Sequence, residues 1–209
     1  MFLKKKNGSS KKWLNEHFQD KYVKQAKKNK LRSRAWFKLE QIDNKYKLLH
    51  VGMNIIDLGS SPGSWLEYSV NKIGDTGTII ACDILPMKNI NNVNFIQGDL
   101  RDNMVLNKLF FFCKNKKFNL VMSDMSPNIS GYTLIDLPRI FFLNELALFI
   151  ANKVLIHNGI FLVKSFLGKG FDSFLKKLHT VFLQVKTYKP DSSRSRSREI
   201  FILAIGLKY

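Results

Sequence analysis

The chain has 209 residues, 45% of them hydrophobic, enough to bury a substantial core in one domain without disulfide or metal staples. Its two cysteines, Cys82 and Cys113, lie far apart without C-x-x-C spacing, which argues against a disulfide framework or zinc site and favours a reducing compartment. A formal net charge of +18 points to a polyanionic partner, and ribosomal RNA would fit. A bias towards A- and T-rich codons would also raise lysine, so the distribution of charge carries more information than its total.

No apolar segment approaches the roughly 20 residues that span a bilayer, and the lysine-rich start is not followed by the apolar core of a signal peptide. A cytoplasmic, soluble protein with no membrane partner is expected. Residues 4–47 hold thirteen lysines with Arg32 and Arg34 against Glu16, Asp20, Glu40 and Asp43, a local excess of eleven positive charges. This reads as a basic arm over 1–30, with 4–12 mobile, ahead of a single domain over 31–209. Trp13, Phe18, Tyr22, Trp36 and Phe37 are interleaved with the charges, as suits stacking on RNA bases beside phosphate contacts. For Trp36, Phe37 and Leu39, packing onto the domain is favoured, because they follow a helical pattern over 33–48.

Residues 54–65, reading Asn-Ile-Ile-Asp-Leu-Gly-Ser-Ser-Pro-Gly-Ser-Trp, predict a strand, a tight turn at Gly59 to Gly63 and the start of a helix over 64–73. Glycines let the backbone approach a ligand, and the helix start offers unpaired N–H groups, so this is a candidate cofactor cradle. A strand over 78–83 ends on Asp83, twenty residues beyond Gly63, close to the spacing at which an acid meets ribose hydroxyls. A strand over 93–99 brings Asp99 within reach of a nucleoside base, with an N-cap for the helix over 101–112 as the competing role. The strand over 118–124 ends on Asp124, on the carboxyl side of the sheet where ligands bind.

A long helix over 136–155 is expected to turn Leu137, Ile140, Phe141, Leu143, Leu146 and Phe149 mainly to the core. The strand over 159–164 ends on Lys164, a cation that is costly in an apolar setting unless paired or functional. A helix over 170–179, an edge strand over 181–188 and a last strand over 199–206 complete the chain. Residues 189–198 read as a basic loop over the crevice, with Glu199 at its junction with the last strand.

Alternating strands and helices predict a doubly wound α/β sheet. The turn lacks G-x-G-x-x-G, which weakens a dinucleotide reading and suits a single nucleoside such as S-adenosylmethionine. Four segments carry a resemblance: 57–65 (Asp-Leu-Gly-Ser-Ser-Pro-Gly-Ser-Trp), 123–127 (Ser-Asp-Met-Ser-Pro), 161–164 (Phe-Leu-Val-Lys), and 189–194 with 197–199 (Lys-Pro-Asp-Ser-Ser-Arg and Ser-Arg-Glu). Together with Arg32-Ser-Arg-Ala-Trp-Phe-Lys38-Leu, they resemble the FtsJ/RrmJ family in order, from about Lys30 to the end.

The resemblance implies a Rossmann-like class I methyltransferase fold: seven mostly parallel strands, an antiparallel strand near the C-terminus and helices on both faces. It carries the family's Lys-Asp-Lys-Glu tetrad onto Lys38, Asp124, Lys164 and Glu199, with Lys164 as proton acceptor. It also implies a cofactor site with Gly63 and Trp65 beside the methionine portion of S-adenosylmethionine, Asp83 at its ribose, Asp99 near its adenine and Asp124 at the junction with substrate. The implied reaction is methyl transfer to the ribose 2′-hydroxyl of a uridine in the A loop of 23S rRNA, late in assembly of the large ribosomal subunit.

No metal is expected, since His17, His50, His157 and His179 have no ligand spacing, and nothing in the sequence demands a dimer. The same reaction on tRNA or an mRNA cap is one alternative, and a non-catalytic RNA-binding assembly factor is another.

Overall fold

Short apolar runs with Ile, Val and Phe pack best as strands covered on both faces, and they alternate along this chain with helix-forming segments. The computed structural model describes residues 19–114 and 116–208. The expectations for residues 4–12, Trp13, His17 and Phe18 lie outside the described residues.

In chain order the elements are α1 (Lys21–Lys28), α2 (Trp36–Tyr46), β1 (Asn54–Leu58), α3 (Ser64–Ile73), β2 (Thr78–Asp83), β3 (Val93–Gln97), α4 (Asn103–Cys113), β4 (Phe118–Ser123), α5 (Thr133–Val154), β5 (Leu155–Phe166), α6 (Phe171–Val181), β6 (Phe182–Tyr188) and β7 (Glu199–Leu207). Seven strands form one sheet in the order β3-β2-β1-β4-β5-β7-β6. The first five are parallel, while β7 runs antiparallel between β5 and β6. The doubly wound expectation therefore holds, with the reversal confined to the last strands.

Alternation along each strand builds two cores. Ile56, Leu58, Ile80, Val121 and Phe161 face α4, α5 and α6, meeting Leu109, Ala147, Ala151 and Leu178. Ile55, Ile79, Leu120, Met122, Leu162 and Phe201 face α2 and α3, meeting Leu39, Ile42, Trp65 and Leu66. A one-residue slip of any central strand would exchange these sets, so register is strongly specified.

Three local expectations are corrected. Phe149 was expected in the core, but it is 45% exposed; Ala147, Leu148, Ile150 and Ala151 fill the face of α5 that meets the sheet. Small side chains let this helix approach the strands, which turns the ring of Phe149 outward, where it packs edge-on against Phe110 at 6.4 Å. The fifth strand does not end on Lys164 but continues to Phe166, because β7 pairs with it through Glu199. It also begins earlier, at Leu155, and its pairing with β4 shifts between Phe118 and Leu120, around Asn158 at φ 64° and Gly159. Asn tolerates that left-handed conformation at little cost.

Candidate active site at the carboxyl edge of the sheet

The turn after β1 lies where parallel strands end and helix N-termini begin, the usual place for a ligand crevice in such sheets. Gly59 has φ 79°, and a Cβ there would stand 2.7 Å from the backbone N of Met125, so the turn and the segment after β4 touch through glycine alone. Asp83, at the end of β2, accepts hydrogen bonds from Ser61 N and Leu85 N, each at 2.8 Å. Each carboxylate oxygen keeps a lone pair for a further donor. Arg32 closes the other side of the turn. Its guanidinium donates to the carbonyls of Pro62 and Lys88 at 2.9 Å and of Asn89 at 3.2 Å, and to Glu67 at 3.1 Å.

These elements border a small cleft lined by Ala35, Asp57, Gly59, Ser61, Trp65 and Asp124, among others. Trp65 forms a wall and donates its indole N–H to Ala35 O at 3.0 Å. Asp57 is fully buried, and neither carboxylate oxygen has a hydrogen-bond partner in the structure. Burial foremost, then the Asp124 and Asp83 carboxylates, push its carboxyl well above the usual carboxylate range. A desolvated acid without a cation beside it favours its protonated form. It belongs to the turn motif, and its signal in the sequence is an acid inside the apolar run of residues 55–58.

The candidate tetrad gathers at the same edge as two ion pairs. Lys164 is 7% exposed, with Nζ 2.5 Å from the backbone oxygen of Asp124 and 2.9 Å from its Oδ1. The Oδ1 contact is electrostatic and lacks hydrogen-bond alignment. Lys38, on α2, places Nζ 2.8 Å from Glu199 Oε2. Register explains the convergence: Lys164 is opposite Phe201 and Phe166 is opposite Glu199, so Lys164, Phe201 and Glu199 share the face covered by α2. The Phe201 ring bridges the halves of the site, lying 5.6 Å from Lys38 Nζ and 5.8 Å from the Trp65 ring.

Asp99 stands apart from these pairs. Its carboxylate is held by the guanidinium of Arg101 at 2.5 to 3.0 Å, and that hydrogen bonding keeps it below the usual carboxylate range despite some burial. The competing N-cap role is not its own, since Asp102 caps α4 through Met104 N at 2.8 Å. Residues 189–198 lie against α1 and α2, as Arg34 donates to both Asp20 and Ser192 O. Burial and the nearby Arg194 lower the Arg34 guanidinium from its ordinary value, while Glu199 opposes this.

The model of the family described as FtsJ-like methyltransferase matches residues 31–207. This chain belongs to the FtsJ-like methyltransferase family. The methyltransferase is 55% identical over 204 residues to Ribosomal RNA large subunit methyltransferase E of Buchnera aphidicola from Acyrthosiphon pisum, covering 98% of this chain and 99% of that protein. A crystal structure named as a ribosomal RNA methyltransferase from Plasmodium falciparum aligns at TM-score 0.75 and 30% identity, covering 84% of this methyltransferase and 98% of that chain. Human Methyltransferase-like protein 13, solved in complex with SAH, shares the fold at TM-score 0.55 and 16% identity over 80% of this chain and 78% of its own. The seven-stranded sheet is thus a Rossmann-like methyltransferase sheet with antiparallel C-terminal strands.

Proposed function

We propose that the chain transfers a methyl group from S-adenosylmethionine to a ribose 2′-hydroxyl of 23S rRNA, a uridine of the A loop, on the large ribosomal subunit. The observation that carries this reading is the meeting of two lysine–carboxylate pairs with a glycine-turn cleft at one edge of the sheet. The relative's name supports the ribosomal substrate, and the net charge of +18 suits it. The site of action is then the cytoplasm and the working form a monomer.

The residues fit the donor. The unpartnered, buried carboxyl of Asp57, protonated while no cation is beside it, becomes a counter-charge by releasing that proton to solvent as the cationic ligand binds, and Gly59 lets the turn close against Met125 to shape the cleft. Asp83 would hold the ribose hydroxyls, Asp99 would stand near the adenine, and Gly63, Trp65 and Asp124 would border the methionine portion. When bound, S-adenosylmethionine supplies an activated sulfonium methyl.

The protein must then align the ribose oxygen and take its proton. Lys164 does both in this reading, because the backbone oxygen of Asp124 holds one direction around Nζ, its carboxylate stands close by, and a direction is left for the hydroxyl. Proton acceptance requires the neutral amine, so Asp124 serves to orient Lys164. Lys38, braced by Glu199, stabilises negative charge developing on the attacking oxygen.

Incubating the parent and Lys164→Ala with labelled S-adenosylmethionine and unmethylated large subunits tests this, followed by mapping of the labelled nucleotide. The parent labels one 23S ribose and the variant labels it at least a hundredfold more slowly, the usual scale for loss of a proton-transfer group. Equal rates would remove Lys164 from the mechanism, and label on tRNA or a cap would change the substrate.

A further inference from the structure

Residues 189–198 link β6 to β7 and carry Lys189, Arg194, Arg196 and Arg198, yet Ser192 and Ser193 at the centre are 0% and 6% exposed. Buried hydroxyls need partners, and these two find them in the walls of the site. Ser192 N and Ser192 Oγ both donate to Gln41 Oε1 at 3.0 Å, while Ser192 O accepts from Arg34. Ser193 Oγ donates to Glu199 Oε1 at 2.7 Å. The other Glu199 oxygen holds Lys38 at 2.8 Å. Lys38 and Gln41 are three residues apart on α2, so one helix face presents both.

We infer that Ser193 is a positioning residue for the Lys38–Glu199 pair, set in place by the clasp of Ser192 on Gln41. This rests on the 2′-O-methyltransferase reading above. A carboxylate tied through one oxygen can rotate about its terminal torsion, which is broad and soft. Tied through both oxygens by donors on different elements, its plane is fixed, and so is the position of the Lys38 ammonium. Misplacement of a reacting or stabilising group by about 1 Å can slow an aligned reaction by about a hundredfold. Ser193 touches Glu199, and its effect on the reaction passes through that residue.

The test combines kinetics with a spectroscopic reading of the pair in the full chain. Ser193→Ala lowers kcat for labelling of large subunits by about tenfold or more with KM for S-adenosylmethionine unchanged, on the scale of a hydrogen bond to a charged group. Ser193→Thr, which keeps the hydroxyl, restores kcat. Added to Glu199→Gln, Ser193→Ala causes no further loss. In ¹⁵N-lysine-labelled protein without substrate, the Lys38 ammonium resonance, assigned by its loss in Lys38→Met, broadens in Ser193→Ala and sharpens again in Ser193→Thr.

Parent-like kcat and an unchanged resonance in Ser193→Ala would overturn the assignment. A loss that persists in the Glu199→Gln background would do the same, because it would mark a merely structural role. The resonance is read without RNA, so a parent chain that labels no subunits refutes the functional reading while Ser193 is still decided.

Discussion

Replacing Asp57 with Asn should stabilise the cofactor-free protein while weakening its hold on S-adenosylmethionine. Asp57 is fully buried with both oxygens unpartnered, and burial followed by the charges of Asp124 and Asp83 raises its carboxyl well above the usual range. The folded chain therefore keeps a proton that the unfolded chain releases near pH 4. Because the folded state binds more protons, this group makes stability fall as pH rises from the unfolded towards the folded value. The slope for one proton is about 1.4 kcal/mol per pH unit.

Asn has nearly the same volume and never ionises, so the variant lacks that slope, and other groups cancel between the two proteins. The stability gap in favour of Asp57→Asn should widen as pH rises from 5 to 7, by no more than that one-proton slope. Urea unfolding of both proteins at pH 5, 6 and 7 without cofactor measures it, and calorimetric titration with S-adenosylmethionine should give at least tenfold weaker binding for the variant. Parallel pH slopes would refute a protonated, unpaired Asp57, and unchanged affinity would refute its counter-charge role.

Other parts of the site yield shorter expectations. Gly59→Ala forces an L side chain to φ 79° and a Cβ to 2.7 Å from Met125 N. The strain alone is worth about 1–3 kcal/mol, and a thermal melt matching the parent would refute the close approach. Arg32→Ala frees the carbonyls of Pro62, Lys88 and Asn89. A loss of about 2–4 kcal/mol in urea unfolding is expected, with weaker cofactor binding measured by calorimetry. Phe161→Ala empties a fully buried position that stacks on Phe182 at 6.1 Å. It should lower unfolding stability by about 3–5 kcal/mol and leave activity per folded molecule unchanged.

Much of the architecture is legible in the sequence. The strand over 78–83 and the helix over 64–73 begin and end where the apolar periodicity and flanking glycines place them. Such signals are local, so sequence reads them well. Lys38, Asp124, Lys164 and Glu199 could be named as candidates because strand-end polar residues and a family motif single them out. Arg32 and Ser193 lie within segments that carry the family resemblance, but what they do there, like the part of Gln41, is not legible from it. An arginine that clasps three carbonyls, or a serine that braces a carboxylate, looks in sequence like its many exposed counterparts, because the tertiary structure sets the partners.

The sequence by itself determined which segments become strands and helices, since periodicity and turn chemistry act over a few residues. It also brought Asp57 into the core, as part of an apolar run too short to exclude it. Only the tertiary structure decided what these residues meet. The antiparallel entry of β7 beside β5 sets Glu199 on the same face as Lys164, and α2 brings Lys38 across 161 residues of chain to that face. Pairings of that kind arise from register and helix packing between distant segments, and no local rule of propensity contains them.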